Sequence, residues 1–299
     1  MSSQTANSGI GIHRILMATD LSVESSRALQ HALAVARHYG ADLDLVHAIQ
    51  PHTYNLAGPD IMAQAHTQAE REIGDLTALL RRTGALDGVN IRSWVLDGEV
   101  AEVACRIVRS QKTDLVVIAT HGRSGLRKLV LGSVAEEVYR YSPCPVLTVG
   151  PYSPGMRRNP SLARVLVATD LSPASSEALP WAVAAAQEFG ARLTVLDVCL
   201  NLEAKGEAAH GREHRIAELQ GLLRELANGS SGPVPDSHFE IAASTTAKDI
   251  LEFAAAQKAD LIVQGLTPAY TFSDRAPWSN AYRIVCEASC PVLTVRAEG

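Results

Sequence analysis

Apolar runs recur along the chain in the same order in each half. Ile15–Ala18 opens the first half and Val165–Ala168 the second. Both runs are apolar without alternation, which predicts a strand covered on both faces, as in a parallel sheet. A serine then starts each helix. Ser22 caps the first, and Ser172 caps the second with Pro173 at the first helical position, where a missing N–H costs nothing. Leu29, Leu33 and Ala36 keep helical spacing, as do Leu179, Val183 and Ala186, and each helix stops at a glycine, Gly40 or Gly190. Strand 2 is predicted at Leu43–Ala48 and Leu193–Val198. Long helices follow near Ile61–Thr83 and Glu207–Ala227, with apolar rows Ile73, Leu76, Leu80 and Ile216, Leu219, Leu223, Leu226. Next come a short strand (Ile91–Leu96; Phe239–Ala242), a helix (Val100–Ser110; Thr246–Gln257) and strand 4 (Leu115–Ala119; Leu261–Gln264). A last helix, beginning near Ser133 in the first half, leads to a final strand. The order β-α-β-α-β-α-β-α-β predicts parallel crossovers with helices on both faces.

The halves are copies. Ala18-Thr19-Asp20-Leu21-Ser22 returns as Ala168-Thr169-Asp170-Leu171-Ser172, and Cys144-Pro145-Val146-Leu147-Thr148-Val149 returns as Cys290-Pro291-Val292-Leu293-Thr294-Val295. The expected domains are 12–150 and 162–297, joined by a linker rich in glycine and proline (Gly150–Gly155, Asn159-Pro160). The second copy is shorter between the two motifs, and the loop after strand 2 is the natural place for the loss.

Composition narrows the function. The chain has 299 residues, 46% hydrophobic and 20% charged, with net charge -5. No basic face is signalled, so nucleic acid is not expected as a partner. Apolar stretches are too short to span a membrane, and Met1–Gly11 lacks the features of a secretory signal. Five cysteines, an odd number, predict free thiols and a cytoplasmic setting. Cys286-x3-Cys290 reads as structural. His210-x3-His214 lacks the glutamate of a zincin helix and reads as a solvated face. No Ser-His-Asp, Cys-His or paired-carboxylate arrangement is legible.

The chemistry concentrates after strand 4 of the first half, where ligands of open parallel sheets bind. The segment Ala119-Thr120-His121-Gly122-Arg123-Ser124-Gly125 runs through Gly132 to Ser133. Its glycines let backbone approach a phosphate. The N–H groups of Gly132, Ser133 and Val134 face outward at a helix start, where the dipole favours an anion. Ser133 adds a hydroxyl, and His121 and Arg123 bring polar or positive groups to the rim. From the residues alone, two readings stand: a phosphate site, or a glycine-rich turn whose helix end is satisfied by water. It is not a Walker A loop, because no Lys-Ser or Lys-Thr follows the last glycine.

This stretch resembles the signature of the universal stress protein family: glycine, two residues, glycine, nine residues, glycine, then serine or threonine. Here it runs Ala119-x2-Gly122-x9-Gly132-Ser133, with alanine in first place. The opening strand with its Asp, the closing Cys-Pro-Val-Leu and the element order resemble that family too, twice over nearly the whole chain. The resemblance implies two tandem open five-stranded parallel sheets of order 3-2-1-4-5, similar to adenine-nucleotide α-hydrolases. It also implies dimerisation through the last strand and a role in stress tolerance. Carried over by position, it implies that Ala18, Thr19 and Asp20 line an adenosine pocket, with Ala48 and Ile118 flanking the base. Ala119 and Gly122 would meet ribose and phosphates, and Gly132, Ser133 and Val134 would hold the phosphates. Asp20 has a second reading as a cap of the helix that follows it. The expected ligand is one ATP per chain, with Mg²⁺ on its phosphates.

The second copy departs at these positions. Gly265 stands opposite Ala119, Pro268 opposite Gly122, Trp278 opposite Gly132, Ser279 opposite Ser133 and Asn280 opposite Val134. Proline removes a donor and the indole fills the loop, so the fold is expected to persist without its nucleotide site. A pocket retuned to another ligand is the alternative. The expected role is a regulatory ATP binder, with a slow ATPase or a nucleotide-free scaffold as alternatives. Val146–Val149 and Val292–Val295, apolar edge strands, are expected to pair antiparallel as an internal pseudo-dimer. A homodimer is the alternative.

Overall fold

A computed structural model describes residues 11–50, 59–120, 133–156, 161–198, 208–229, 232–242, 246–266 and 280–296. The chain forms two compact units, one of Ile12–Pro160 and one with Ser161–Gly299 as its main part.

In the first unit β1 (Arg14–Ala18), β2 (Asp42–Ile49), β3 (Ile91–Asp97), β4 (Leu115–Ala119) and β5 (Val146–Val149) lie in the order β3-β2-β1-β4-β5. Every pair is parallel. The connections are α1 (Val23–Tyr39), α2 (Pro59–Arg82), α3 (Val100–Gln111) and α4 (Ser133–Tyr141). The chain steps from β1 to β2 and β3 in one direction, then from β4 to β5 in the other. Right-handed crossovers therefore put α1 and α2 on one face and α3 and α4 on the other. Sandwiched between these layers, Ile15, Leu16, Met17, Leu43, Leu45, Val116 and Val117 have no exposed surface.

The second unit repeats the plan. Strands β6 (Arg164–Thr169), β7 (Arg192–Val198), β8 (Ser237–Ala242), β9 (Leu261–Leu266) and β10 (Val292–Arg296) take the order β8-β7-β6-β9-β10, again parallel throughout. Helices α7 (Ala208–Gly229), α8 (Ala247–Ala256) and α9 (Asn280–Glu287) connect its later strands.

Local chemistry explains the boundaries. Ser22 Oγ accepts the Ser25 N–H at 3.1 Å and Ser172 Oγ accepts the Ser175 N–H at 3.4 Å. Gly40 and Gly190 end their helices at φ 65° and 60°, a conformation that costs glycine little. One expected helix is in fact two. After β6 the chain makes a short α5 (Pro173–Ser176), turns at Glu177, and resumes as α6 (Ala178–Phe189). The cause is Pro180, which has no N–H for the Ser176 carbonyl and whose ring crowds that oxygen. In the first unit Gln30 stands at this place and α1 is unbroken. Along α2, the row from Ile73 includes a buried Thr77, whose hydroxyl donates to the Ile73 carbonyl, while Leu76 and Leu80 are only half-buried.

Each unit also fastens its first strand to its fourth at their bases. The N–H groups of His13 and Arg14 donate to Asp114 Oδ2 at 2.7 and 2.9 Å. Those of Ala163 and Arg164 donate to Asp260 Oδ2, both at 2.9 Å. In the first unit a wholly buried Asp44 on β2 gathers Arg14, Arg92 and the Trp94 indole N–H within 3.3 Å. A buried carboxylate is tolerated when paired and hydrogen-bonded in this way.

Candidate functional site

The switch point of the first unit lies between the carboxyl ends of β1 and β4, and the β1–α1 turn forms one wall of it. Thr19 is buried. Its N–H donates to the Val46 carbonyl at 2.8 Å, and its hydroxyl accepts the Leu21 N–H at 3.0 Å and bonds to Ser25 Oγ at 3.1 Å. Asp20 is half-buried, and its Oδ1 accepts the Ser22 N–H at 3.0 Å. Between them Leu21 sits at φ 63°, a strained value for a branched side chain. The turn is thus fixed by hydroxyls and one carboxylate rather than by glycine.

A histidine not singled out in the sequence completes this wall. His47 on β2 donates from Nδ1 to the Thr19 carbonyl at 2.8 Å. Its signal was a polar residue in an apolar strand, one position before Ala48. Ala48 lies near the end of β2 and is half-buried. On the other wall Ile118 is buried and Ala119, the last residue of β4, is half-exposed to the crevice end of the strand. The Thr120 N–H donates to Val149 O at 3.1 Å, tying the end of β4 to β5.

The backbone therefore brings Ala18, Thr19, Asp20, Ala48, Ile118 and Ala119 to one end of one sheet. His121, Gly122, Arg123 and Gly132 lie outside the described residues, as do the side chains of Ser133 and Val134. Ser133 does begin α4, where the sequence expects a helix start. Among the described residues no group of three or more His, Cys, Asp or Glu is arranged to hold a metal ion.

The corresponding turn of the second unit is built alike. Leu171 has φ 61°, and Thr169 Oγ1 bonds to Ser175 Oγ at 3.0 Å and accepts the Leu171 N–H at 3.0 Å. Asp170 Oδ1 accepts the Ser172 N–H at 2.9 Å and the Ser175 hydroxyl at 2.8 Å. Burial raises the Asp170 pKa, but these hydrogen bonds outweigh it and hold the carboxyl below its ordinary value. In place of His47 stands Asp197, wholly buried and paired with Arg215 of α7.

The thiols behave as structural groups. Burial pushes Cys144 up to about 11 and Cys290 up to about 12. His214 is exposed, and the His210 side chain lies outside the described residues. No described helix is long and apolar enough to cross a membrane.

The family model described as the universal stress protein family matches residues 11–150 and again 162–296, nearly the whole chain in two passes. This chain belongs to the universal stress protein family. A universal stress protein of Mycolicibacterium smegmatis is 26% identical over 295 residues, covering 94% of this chain and 96% of that one. A universal stress protein of Thermus aquaticus is 34% identical over 140 residues, covering 45% of this chain and 96% of that one. The crystal structure of a universal stress protein from Archaeoglobus fulgidus shares the fold at a TM-score of 0.71 and 21% identity, covering 95% of this chain and 98% of that one. The tandem arrangement of two universal stress protein domains therefore extends along the full length of some relatives.

Proposed function

We propose that the first unit binds one ATP, with Mg²⁺ carried on its phosphates, and that the protein acts in stress tolerance by changing state or partner with nucleotide. The observation that carries this reading is the coincidence of two features at one sheet end. The Thr19–Asp20 turn walls the switch-point crevice, and in sequence the end of β4 is followed by Gly122-x9-Gly132-Ser133, with α4 beginning at Ser133. Asp20 and the Thr19 backbone would meet the adenosine. Gly132, Ser133 and Val134 would give N–H donors to the phosphates at the start of α4, with His121 and Arg123 at the rim. Mg²⁺ would be held chiefly by the phosphates.

Two further parts belong to this proposal. The second unit has lost the nucleotide site, because Pro268, Trp278 and Asn280 replace Gly122, Gly132 and Val134. Val146–Val149 and Val292–Val295 pair antiparallel, giving an internal pseudo-dimer. Support for the pairing is the apolar edge that each sequence would otherwise leave unpaired.

Calorimetric titration of the full chain with ATP and Mg²⁺ tests the reading. The expected stoichiometry is one per chain. No heat of binding would make the protein a scaffold, two equivalent sites would restore the second unit, and steady phosphate release would make it an ATPase.

A further inference from the structure

The segment that follows β5 does not leave the first unit at once. The Ser153 N–H donates to the Gly150 carbonyl at 3.1 Å, and Ser153 Oγ accepts the Gly150 N–H at 3.2 Å. This closes a turn with Pro151 at its second position, where the ring sets the backbone in advance. Ser153 itself is buried. Two side chains of α1 hold the turn. Arg27 Nη1 donates to the Pro151 carbonyl at 2.6 Å, and His31 Nε2 donates to the Pro154 carbonyl at 3.0 Å. Gly155 passes close to a third, since a methyl group there would lie 3.1 Å from Gln30 Oε1. Arg27, Gln30 and His31 stand at i, i+3 and i+4, one stripe of the helix. The second unit has Glu177, Pro180 and Trp181 at these places, so the shared fold does not require the stripe.

His31 is the member of the stripe that can change its charge. It is 3% exposed, and its buried Nδ1 has no hydrogen-bond partner among the described residues. Because Nε2 gives its hydrogen to Pro154, the neutral ring keeps Nδ1 as a bare acceptor. A proton there would make a charged donor that faces no acceptor. The neighbours do not welcome it. Of the strands under α1, β4 and β5 carry no ionisable side chain, and β1 carries only Arg14, tied to Asp42 and Asp44 of β2. His47, the remaining ionisable group of β2, is bonded to the Thr19 carbonyl. The turn itself brings only the exposed Tyr152. On α1, Arg27 lies one turn before His31, with Glu24 a further turn off and Arg37 and His38 towards the other end. Burial holds the His31 pKa below its ordinary value, the Pro154 bond opposes this, and the Arg27 charge adds to it.

We propose that Gly150–Gly155 is a proton-operated strap: it fastens the start of the linker to α1 while His31 is neutral, and it lifts when the ring takes a proton. The strap is tied to the helix by two side chains, whereas the strands behind the helix are tied by whole ladders. Moving the strap is therefore the least costly way to bring water to Nδ1. The fastened form binds fewer protons than the lifted one, so acid favours lifting. Arg27 sharpens the response, because it both holds Pro151 and repels the incoming charge. Fastened, the first unit keeps its chain through Gly155; lifted, those residues join the linker and lengthen it. The inference does not rest on nucleotide binding in either unit.

Hydrogen exchange of the full chain, read by mass spectrometry of peptides covering 148–156, tests the strap. It is run at about pH 7.5 and about pH 5.5, each corrected for the intrinsic exchange rate, to bracket the ordinary histidine value of about 6.5. Protection of the Gly150 and Ser153 amides should fall about five- to ten-fold on going to the lower pH, since one proton at one unit below 6.5 can give about ten-fold at most. Peptides from β4 should keep their protection. His31→Gln retains a donor for the Pro154 carbonyl and does not titrate, so its strap should be equally protected at both pH values. Equal protection at both in the wild type would overturn the proposal. So would a full pH response in His31→Gln, or a loss that β4 shares equally. If His31→Gln does not fold, the wild-type imidazole decides by NMR. Its midpoint should lie below about 6.5, and an ordinary midpoint would overturn the strap.

Discussion

The His47 ring donates from Nδ1 to the Thr19 carbonyl across 2.8 Å, fixing from β2 the turn that presents Asp20. Its counterpart, Asp197, instead accepts from Arg215 of α7 with both side-chain oxygens. If ATP binds this turn, His47→Ala should weaken it about five- to ten-fold, the worth of roughly 1 kcal/mol. His47→Gln, which keeps a donor, should recover part of the loss. Calorimetry with thermal melts of both variants checks this, since a merely structural role would lower Tm without the glutamine rescue.

The phosphate loop can be tested by copying one half into the other. Gly132→Trp should abolish ATP binding and leave the fold intact, because an indole blocks approach to the backbone. Ser133→Ala should cost about 1 kcal/mol, one hydrogen bond. Titration with circular dichroism decides, and normal binding by Gly132→Trp would put the phosphates elsewhere.

Acid should loosen the first unit through His31. This buried histidine of α1 donates from Nε2 to the Pro154 carbonyl at 3.0 Å, and its buried Nδ1 has no hydrogen-bond partner. Burial lowers its pKa, the Pro154 bond opposes this, and Arg27 lowers it further. The folded protein thus resists a proton that the unfolded chain accepts near pH 6.5. Stability should fall as pH drops below about 6.5 towards the lower folded value, and be unaffected by His31 above it. Comparing the slope of Tm against pH with that of His31→Gln isolates the contribution. An unchanged slope rejects it.

Asp44 should be costly to remove. Asp44→Ala removes the shared acceptor of Arg14, Arg92 and the Trp94 indole; Arg14 keeps Asp42 and Arg92 is partly exposed, so the loss should be roughly 1–3 kcal/mol. Urea denaturation of the variant measures it. A change under 1 kcal/mol would mean that water compensates fully.

The proposed pairing of the last strands predicts that Leu147→Pro, which removes a ladder donor, exposes an apolar edge. Faster proteolysis of the linker, or a shift in the small-angle scattering profile, should follow. No change in either would argue that other surfaces join the units.

Much of this was legible because it is local. Ser22, Ser172, Gly40 and Gly190 act through neighbours within a few residues, and the uninterrupted runs at Ile15 and Val165 announce a sheet covered on both sides. The break between α5 and α6 was missed because Leu179, Val183 and Ala186 hold their spacing across Pro180, and the apolar pattern outweighed one absent N–H. The partners of Asp44 and His47 come from neighbouring strands and from a turn 28 residues away. Such pairs are set by register, which the order of residues along one strand does not reveal. For the site, the meeting of Thr19, Asp20 and Ala119 at one sheet end followed from topology, whereas the close approach of Ala174 to Gly265 is set by tertiary packing.

The Asp114 clamp ties each unit's history to its synthesis. Arg14 leaves the ribosome early, yet the oxygen it binds is 100 residues behind it. At roughly 5–20 residues per second, β1 waits about 5–20 seconds for β4 to emerge between it and β5. Until then an apolar strand made for the centre of a sheet is an edge. The second copy repeats the interval with Arg164 and Asp260, 96 residues apart, when a finished first unit is already present. Nascent-chain lengths that stop before each aspartate are therefore where chaperone demand should peak, twice in a single translation.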